Sequence, residues 1–190
     1  MNRFLMKALA GLFAAASAAF AAAGAMDRSA PLAPGVTARY PEAACTPALE
    51  ARELVTIETP FRSAALEFAA SCEKGAVTLV ALVPPGVPLI RMRLEKGVLA
   101  EERLLSVKMP QGGHFMTSFL LSRLPLAAWR GRLPRGWTMA DEGRERIVRE
   151  PSGEAAIRIT YSEGPEEPES AVLIENLLYG YKASVRRLSR

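Results

Sequence analysis

Among its 190 residues the chain has one histidine, His114, two cysteines, Cys45 and Cys72, and two aspartates, Asp27 and Asp141. These scarcities exclude most catalytic machinery. A Ser-His-Asp or Cys-His arrangement needs a base beside its nucleophile, and a lone histidine leaves little to build it from. A zinc site needs clustered ligands, and two cysteines with one distant histidine do not supply them. Neither a Gly-x-Ser-x-Gly elbow nor a glycine-rich phosphate loop is present. We therefore expect no catalytic residue, no metal and no cofactor, and the chain does not read as an enzyme. His114, directly after Gly112-Gly113, reads as capping or flanking a helix start rather than as a base. Glu163, Glu166, Glu167 and Glu169 read as one solvated loop with Pro165 and Pro168.

Basic charge is also in short supply once the first segment is set apart. Residues 1–25 hold Arg3 and Lys7, no acid, and an apolar run from Ala8 to Ala23 relieved by Gly11 and Ser17. With Ala23-Gly24-Ala25 at their end they read as a signal peptide cut before Met26. The remaining 165 residues suit one domain. Their net charge is +2 rather than +4, because two of the 24 basic residues leave with the leader. So mild an excess argues against a nucleic-acid binder, which needs a basic stripe. No later segment offers 18 consecutive apolar residues, so no membrane-spanning helix is expected. A lipid-modified cysteine would sit at the cleavage site, whereas Cys45 lies well downstream. The expectation is a periplasmic protein without an acyl anchor. In that oxidising space Cys45 and Cys72 are expected to pair with each other, closing a loop of roughly 27 residues worth about 3–4 kcal/mol.

What the chain does have is β-pattern. Residues 26–50, with Pro31, Pro34, Pro41 and Pro47, read as an extended proline-rich lead-in, because such a density defeats both a helix interior and a central strand. Order is expected near Glu53, in a domain spanning 51–190. Leu54–Thr59, Leu66–Cys72 and Ala76–Val83 read as strands, the last apolar on both faces and hence covered on both sides. In Leu89–Glu95 the residues Ile90, Met92 and Leu94 alternate with Arg91, Arg93 and Glu95. Lys96-Gly97 turns the chain into Val98–Glu101. Tight turns between these strands leave no room for crossovers, so an antiparallel meander is expected. From Gly113 to about residue 131 the period becomes helical, with Phe115, Met116, Phe119, Leu120 and Leu124 apolar, and Pro125 opening a second short turn carrying Trp129. Further strands follow at Trp137–Met139, Arg146–Arg149, Ala155–Tyr161, Ala171–Leu178 and Tyr179–Val185. The fold class is mainly β with a helical insertion. A sheet of nine or ten strands curls, and the insertion would plug or cover its hollow side.

The amphipathic segment ending in Leu124-Pro125-Leu126-Ala127-Ala128-Trp129-Arg130-Gly131 is followed by Leu133-Pro134 and Gly136-Trp137. Then come Ala156-Ile157-Arg158-Ile159-Thr160-Tyr161, Ile174-Glu175-Asn176-Leu177 and Tyr179-Gly180-Tyr181. Together these resemble a bacterial family similar to the outer-membrane lipoprotein receptor LolB and, more distantly, the periplasmic carrier LolA. Members are often encoded beside fatty-acid-like synthases that make aryl polyene lipids. The resemblance covers roughly residues 53–188. It implies a curved antiparallel half-barrel whose hollow, apolar face holds acyl chains beneath a helical lid. LolB is lipid-anchored, and this chain departs from it in lacking a cysteine at the cut.

The apolar residues exceed what a thin half-sheet needs. Phe68, Leu79, Met92, Phe115, Phe119, Trp129, Ile159 and Tyr161 are the candidates for lining a cavity that accepts flexible chains. The basic ending, Lys182, Arg186, Arg187 and Arg190, is a candidate for transient contact with an anionic membrane surface. The expected function is a periplasmic carrier or chaperone for the acyl or polyene part of a lipid or lipoprotein bound for the outer membrane. The alternative is a non-enzymatic envelope-assembly protein with a closed core.

Overall fold

The computed structural model describes residues 26–42, 49–73, 75–83, 86–105, 110–165, 167 and 170–188. The expected leader at 1–25, Cys45, Glu166, Glu169 and Arg190 lie outside the described residues. Cys72 is fully buried and disulfide-bonded.

The strands are β1 (Met26–Asp27), β2 (Ser29–Ala33), β3 (Val36–Arg39), β4 (Leu49–Thr59), β5 (Arg62–Glu73), β6 (Ala76–Val83), β7 (Val87–Glu95) and β8 (Val98–Arg103). A helix, α1 (Gly112–Arg123), and a 3-10 turn (Leu126–Trp129) follow. The chain closes with β9 (Thr138–Glu142), β10 (Glu145–Arg149), β11 (Ala155–Tyr161), β12 (Val172–Asn176) and β13 (Tyr181–Arg187). Among the described residues eleven strands form one open sheet in the order β1-β8-β7-β6-β5-β4-β13-β12-β11-β10-β9, with antiparallel pairing throughout. It is two meanders joined at their middle. The first runs outward from β4 to β8, the second inward from β9 to β13, and β13 pairs with β4 along Lys182–Arg187 and Glu53–Glu58.

That topology positions the helix. The connection from β8 to β9 must cross from one side of the sheet to the other. Twelve residues of α1 make a rod about 18 Å long. In a flat sheet β8 and β10 would stand eight strand spacings, about 38 Å, apart. Yet the first helical N–H donates to Glu101 on β8 (2.7 Å), and Arg146 on β10 donates to the Leu124 carbonyl just past the last turn (2.6 Å). A rod of that length bridges both only if the sheet curls around it.

The outer face is wet and charged. Cross-strand pairs Arg52–Glu67, Arg91–Glu102 (3.1 Å) and Lys182–Glu175 (2.7 Å) lie on it. Exposed pairs of this kind contribute little individually, about 0–1 kcal/mol, but they keep the outer face soluble. This corrects the reading of β6. It is a central strand, but covered on one side only. Thr78, Val80 and Leu82 are half-buried on the outer face, and the register sets Val80 beside Arg91 and Leu82 beside Glu67. The long stems of such charged residues shield aliphatic neighbours without closing the face.

A second correction concerns residues 26–42, which are extended but not a peripheral lead-in. Order begins at β1, paired to the edge of β8, and β2–β3 form a separate hairpin turned by Pro34-Gly35, where Gly35 takes φ +74°. Ala30, Leu32, Ala38 and Tyr40 are buried to 3 % exposure or less. Proline is harmless there because a two-stranded hairpin has edges that need no further N–H donor. The hairpin packs on α1, and Asn176 of β12 donates its side-chain amide to the Leu32 carbonyl (3.1 Å). The helical insertion is therefore not the only plug of the sheet; the amino-terminal hairpin fills it too.

Candidate ligand cavity

The helix carries two apolar stripes instead of one. Met116, Thr117, Leu120 and Leu121 are fully buried, and Thr117 reaches the hydroxyl of Tyr40, next to the hairpin (3.4 Å). His114, Phe115, Ser118, Phe119 and Ser122, spaced along the opposite flank, face a hollow. No residue of the helix is exposed. Its hydroxyls turn inward and are satisfied there: Ser122 donates to the Phe119 carbonyl and Ser118 shares a bond with the Tyr181 hydroxyl, each 3.0 Å. A helix without a solvent face belongs in an interior.

The hollow is a cavity of about 260 Å³. Pleating decides its far wall: alternate residues Glu53, Val55, Ile57 and Thr59 of β4 point inward, and the register sets Ala183 opposite Ile57 and Val185 opposite Val55. Phe68, Leu79 and Ile174 complete it from neighbouring strands. Phe68 and Phe115 meet at a centroid distance of 5.3 Å, bridging sheet and helix. From Glu53 to Thr59 the wall runs about 20 Å at the ordinary rise per residue. Burial falls along that length. Glu53 is 4 % exposed at one end, while Thr59, His114 and Tyr179 are half-buried and Pro110 is exposed at the other, which marks the mouth.

Two polar features sit in this apolar wall. At the inner end the Glu53 carboxylate accepts from Arg123 in the last turn of α1 (2.6 Å), both side chains being almost wholly buried. At the mouth His114 meets Tyr179 edge-on, ring centroids 4.8 Å apart, and partial burial lowers its pKa below the ordinary 6.5. Burial likewise raises the Tyr181 phenol. His114 lies in the first turn of α1 and neither flanks nor caps it; Gln111 is the N-cap and makes no side-chain cap bond.

The helix is a fixed roof. Beyond the Glu101 contact at its start, Arg146 grips its end. That guanidinium is 2 % exposed, bidentate to Asp141 (2.7 and 3.0 Å) and donor to the Leu121 and Leu124 carbonyls (2.7 and 2.6 Å). It supplies the acceptor-end capping that the sequence Leu124-Pro125 lacks. Tyr161 adds a hydroxyl bond to the Ser122 carbonyl (3.1 Å).

Of the eight residues proposed from sequence to line a cavity, Phe68, Leu79, Phe115 and Phe119 do so. Met92, Trp129, Ile159 and Tyr161 do not, and each is fixed elsewhere. Met92 forms the bed of the helix start, where a Cβ on Gly112 would stand 2.8 Å from its Cγ and Sδ. Trp129 lines a second, more open and less apolar recess of about 340 Å³ with Trp137 and Met139, and its indole N–H has no hydrogen-bond partner among the described residues. Ile159 is wholly buried in the core, and Tyr161 is spent on the helix end. The basic ending is largely engaged: Lys182 pairs with Glu175, and Arg187 donates to the Glu50 carbonyl (3.1 Å), leaving Arg186 exposed. The sequence reading missed Glu53, Ile57, Ala183 and Tyr181. The inward alternation of β4 was legible, but the pairing of β4 with β13, the strand furthest from it in the chain, was not.

Among the described residues no helix is long and apolar enough to cross a membrane, and no three His, Cys, Asp or Glu side chains cluster to hold a metal. Comparison with curated proteins gives no match. The model of a family described as protein of unknown function, DUF3261, matches residues 50–189, a span that includes every strand and helix lining the cavity but not the plugging hairpin. The chain belongs to the DUF3261 family.

Proposed function

We propose that the protein is a periplasmic carrier or chaperone that shelters the acyl or polyene part of a lipid or lipoprotein on its way to the outer membrane, in a LolB-like half-barrel. The carrying observation is the apolar cavity of about 260 Å³ between α1 and the curled sheet. It lies just under the range of roughly 300–1,000 Å³ usual for ligand pockets, so it suits one chain segment rather than a whole lipid. The signal-peptide pattern of residues 1–25 supports the compartment.

The mechanism is passive. Each buried methylene contributes roughly 0.8 kcal/mol, so a short sheltered segment gives usable affinity. Because α1 is fastened at both ends, loading goes through the mouth beside Thr59, His114 and Tyr179 and not by lifting the helix. Large apolar side chains stand exposed on the two turns flanking that mouth, Phe61 at 95 % and Leu177 at 49 %. They suit transient contact with a membrane surface or an apolar cargo, where the basic tail contributes less than its composition suggests. Mass spectrometry of an organic extract of the protein purified from its native compartment tests the reading. A stoichiometric lipid is the expected result; an empty extract, together with no uptake of the neutral fluorophore N-phenyl-1-naphthylamine, overturns it.

A further inference from the structure

The inner end of the cavity is not apolar. Glu53 is 4 % exposed, lies on the inward side of β4, and lines the hollow. Its Oε1 takes a hydrogen bond from Arg123, the one hydrogen bond of this side chain among the described residues. A carboxylate offers about four acceptor positions, so Glu53 retains acceptor capacity where it meets the cavity. Arg123, in contrast, is not among the lining residues. The serine hydroxyls that α1 turns into the cavity are engaged, Ser118 with Tyr181 and Ser122 with its own helix. The deep end therefore presents an acceptor with negative charge and no matching free donor.

A purely apolar chain end pushed against Glu53 strips water from a carboxylate without replacing its hydrogen bond, which is costly. A ligand carboxylate is worse, because it sets a second negative charge beside a carboxylate that already takes up the one guanidinium there, Arg123, in a desolvated site. A hydroxyl or amide N–H meets neither penalty and gains a charge-assisted bond. We propose that the cavity takes an apolar segment whose innermost end is a neutral hydrogen-bond donor, a hydroxyl or an amide N–H, accepted by Glu53. This rests on the carrier reading above and fixes the class and orientation of what is carried.

Displacement of N-phenyl-1-naphthylamine by matched ten-carbon probes, decanol, decanamide, decanoate and decane, tests it at neutral pH. The alcohol and amide are expected to displace the fluorophore at least tenfold more strongly than the carboxylate or the alkane. In Glu53→Gln, whose amide can both donate and accept, the penalty against decanoate is expected to shrink to within about threefold, with the melting temperature recorded to establish that the variant folds. If Glu53→Gln does not fold, the wild-type ranking still decides. Equal or stronger binding of decanoate or decane by the wild type overturns the inference while leaving the carrier reading intact. So does a discrimination against decanoate that survives unchanged in folded Glu53→Gln. Absence of fluorophore binding in the wild type overturns both.

Discussion

The two flanks of α1 are filled in opposite ways. On one, the β2–β3 hairpin packs to completion: Leu32, Met116 and Leu120 have no exposed surface, and even Tyr40 is 1 % exposed. On the other, side chains of comparable apolarity stop short of each other and leave about 260 Å³ between helix and sheet. One helix thus has a structural side and a hollow side. The contrast shows that the hollow is not a failure of apolar content. Chain was available to fill the first side and was not placed on the second.

If the contrast is real, matching substitutions on the two sides must differ. The largest effect is expected where the roof is fastened. Arg146→Met leaves Asp141 and two carbonyls without their buried donor, and chemical denaturation should show a loss of about 3–5 kcal/mol. Next, Leu32→Ala opens a void on the packed side and should cost about 3–5 kcal/mol. Ile57→Ala, which only widens an existing hollow, should cost about 1–2 kcal/mol by the same measurement. Equal losses would remove the distinction. Gly112→Ala should cost about 1–3 kcal/mol, since its methyl would stand 2.7 Å from the Glu101 Oε2 and 2.8 Å from Met92 and force the helix start off β7 and β8.

The smallest effect concerns the mouth. Burial holds His114 below its ordinary 6.5, so as the pH falls the unfolded chain takes up that proton first. Stability from this group is complete above pH 6.5 and is lost as the pH drops through the lower folded value. Urea midpoints recorded across that window should fall in the wild type and fall less in His114→Gln.

Much of the architecture was readable from local pattern. β6 and β11 occupy the segments their composition marks, and the alternation of Ile90, Met92 and Leu94 against Arg91 and Arg93 gives the covered and wet faces of β7. The helix and its 3-10 extension fall where the period changes. What local pattern could not supply was long-range. The prolines of residues 31 and 34 look like an extended lead-in until a buried site for their hairpin exists, and that site is made by α1, far downstream. Likewise, Phe68, Phe115 and Phe119 were candidates for the cavity because aromatic residues on β5 and α1 must face something, and they face the hollow. Met92 and Tyr161 sit instead at the two helix ends, a placement that only tertiary structure reveals. Glu53 looked like an ordinary strand glutamate, since nothing nearby in sequence announces Arg123.

The central claim is that the space between α1 and the β4–β13 pair binds an apolar ligand. Ala183 lies on the floor of that space, 5 % exposed and opposite Ile57. Fluorescence titration with N-phenyl-1-naphthylamine should give saturable one-to-one binding to the wild type and at least tenfold weaker binding to Ala183→Phe, with the variant's melting temperature unchanged or raised. Equal binding to the two proteins would place the ligand elsewhere and contradict the account.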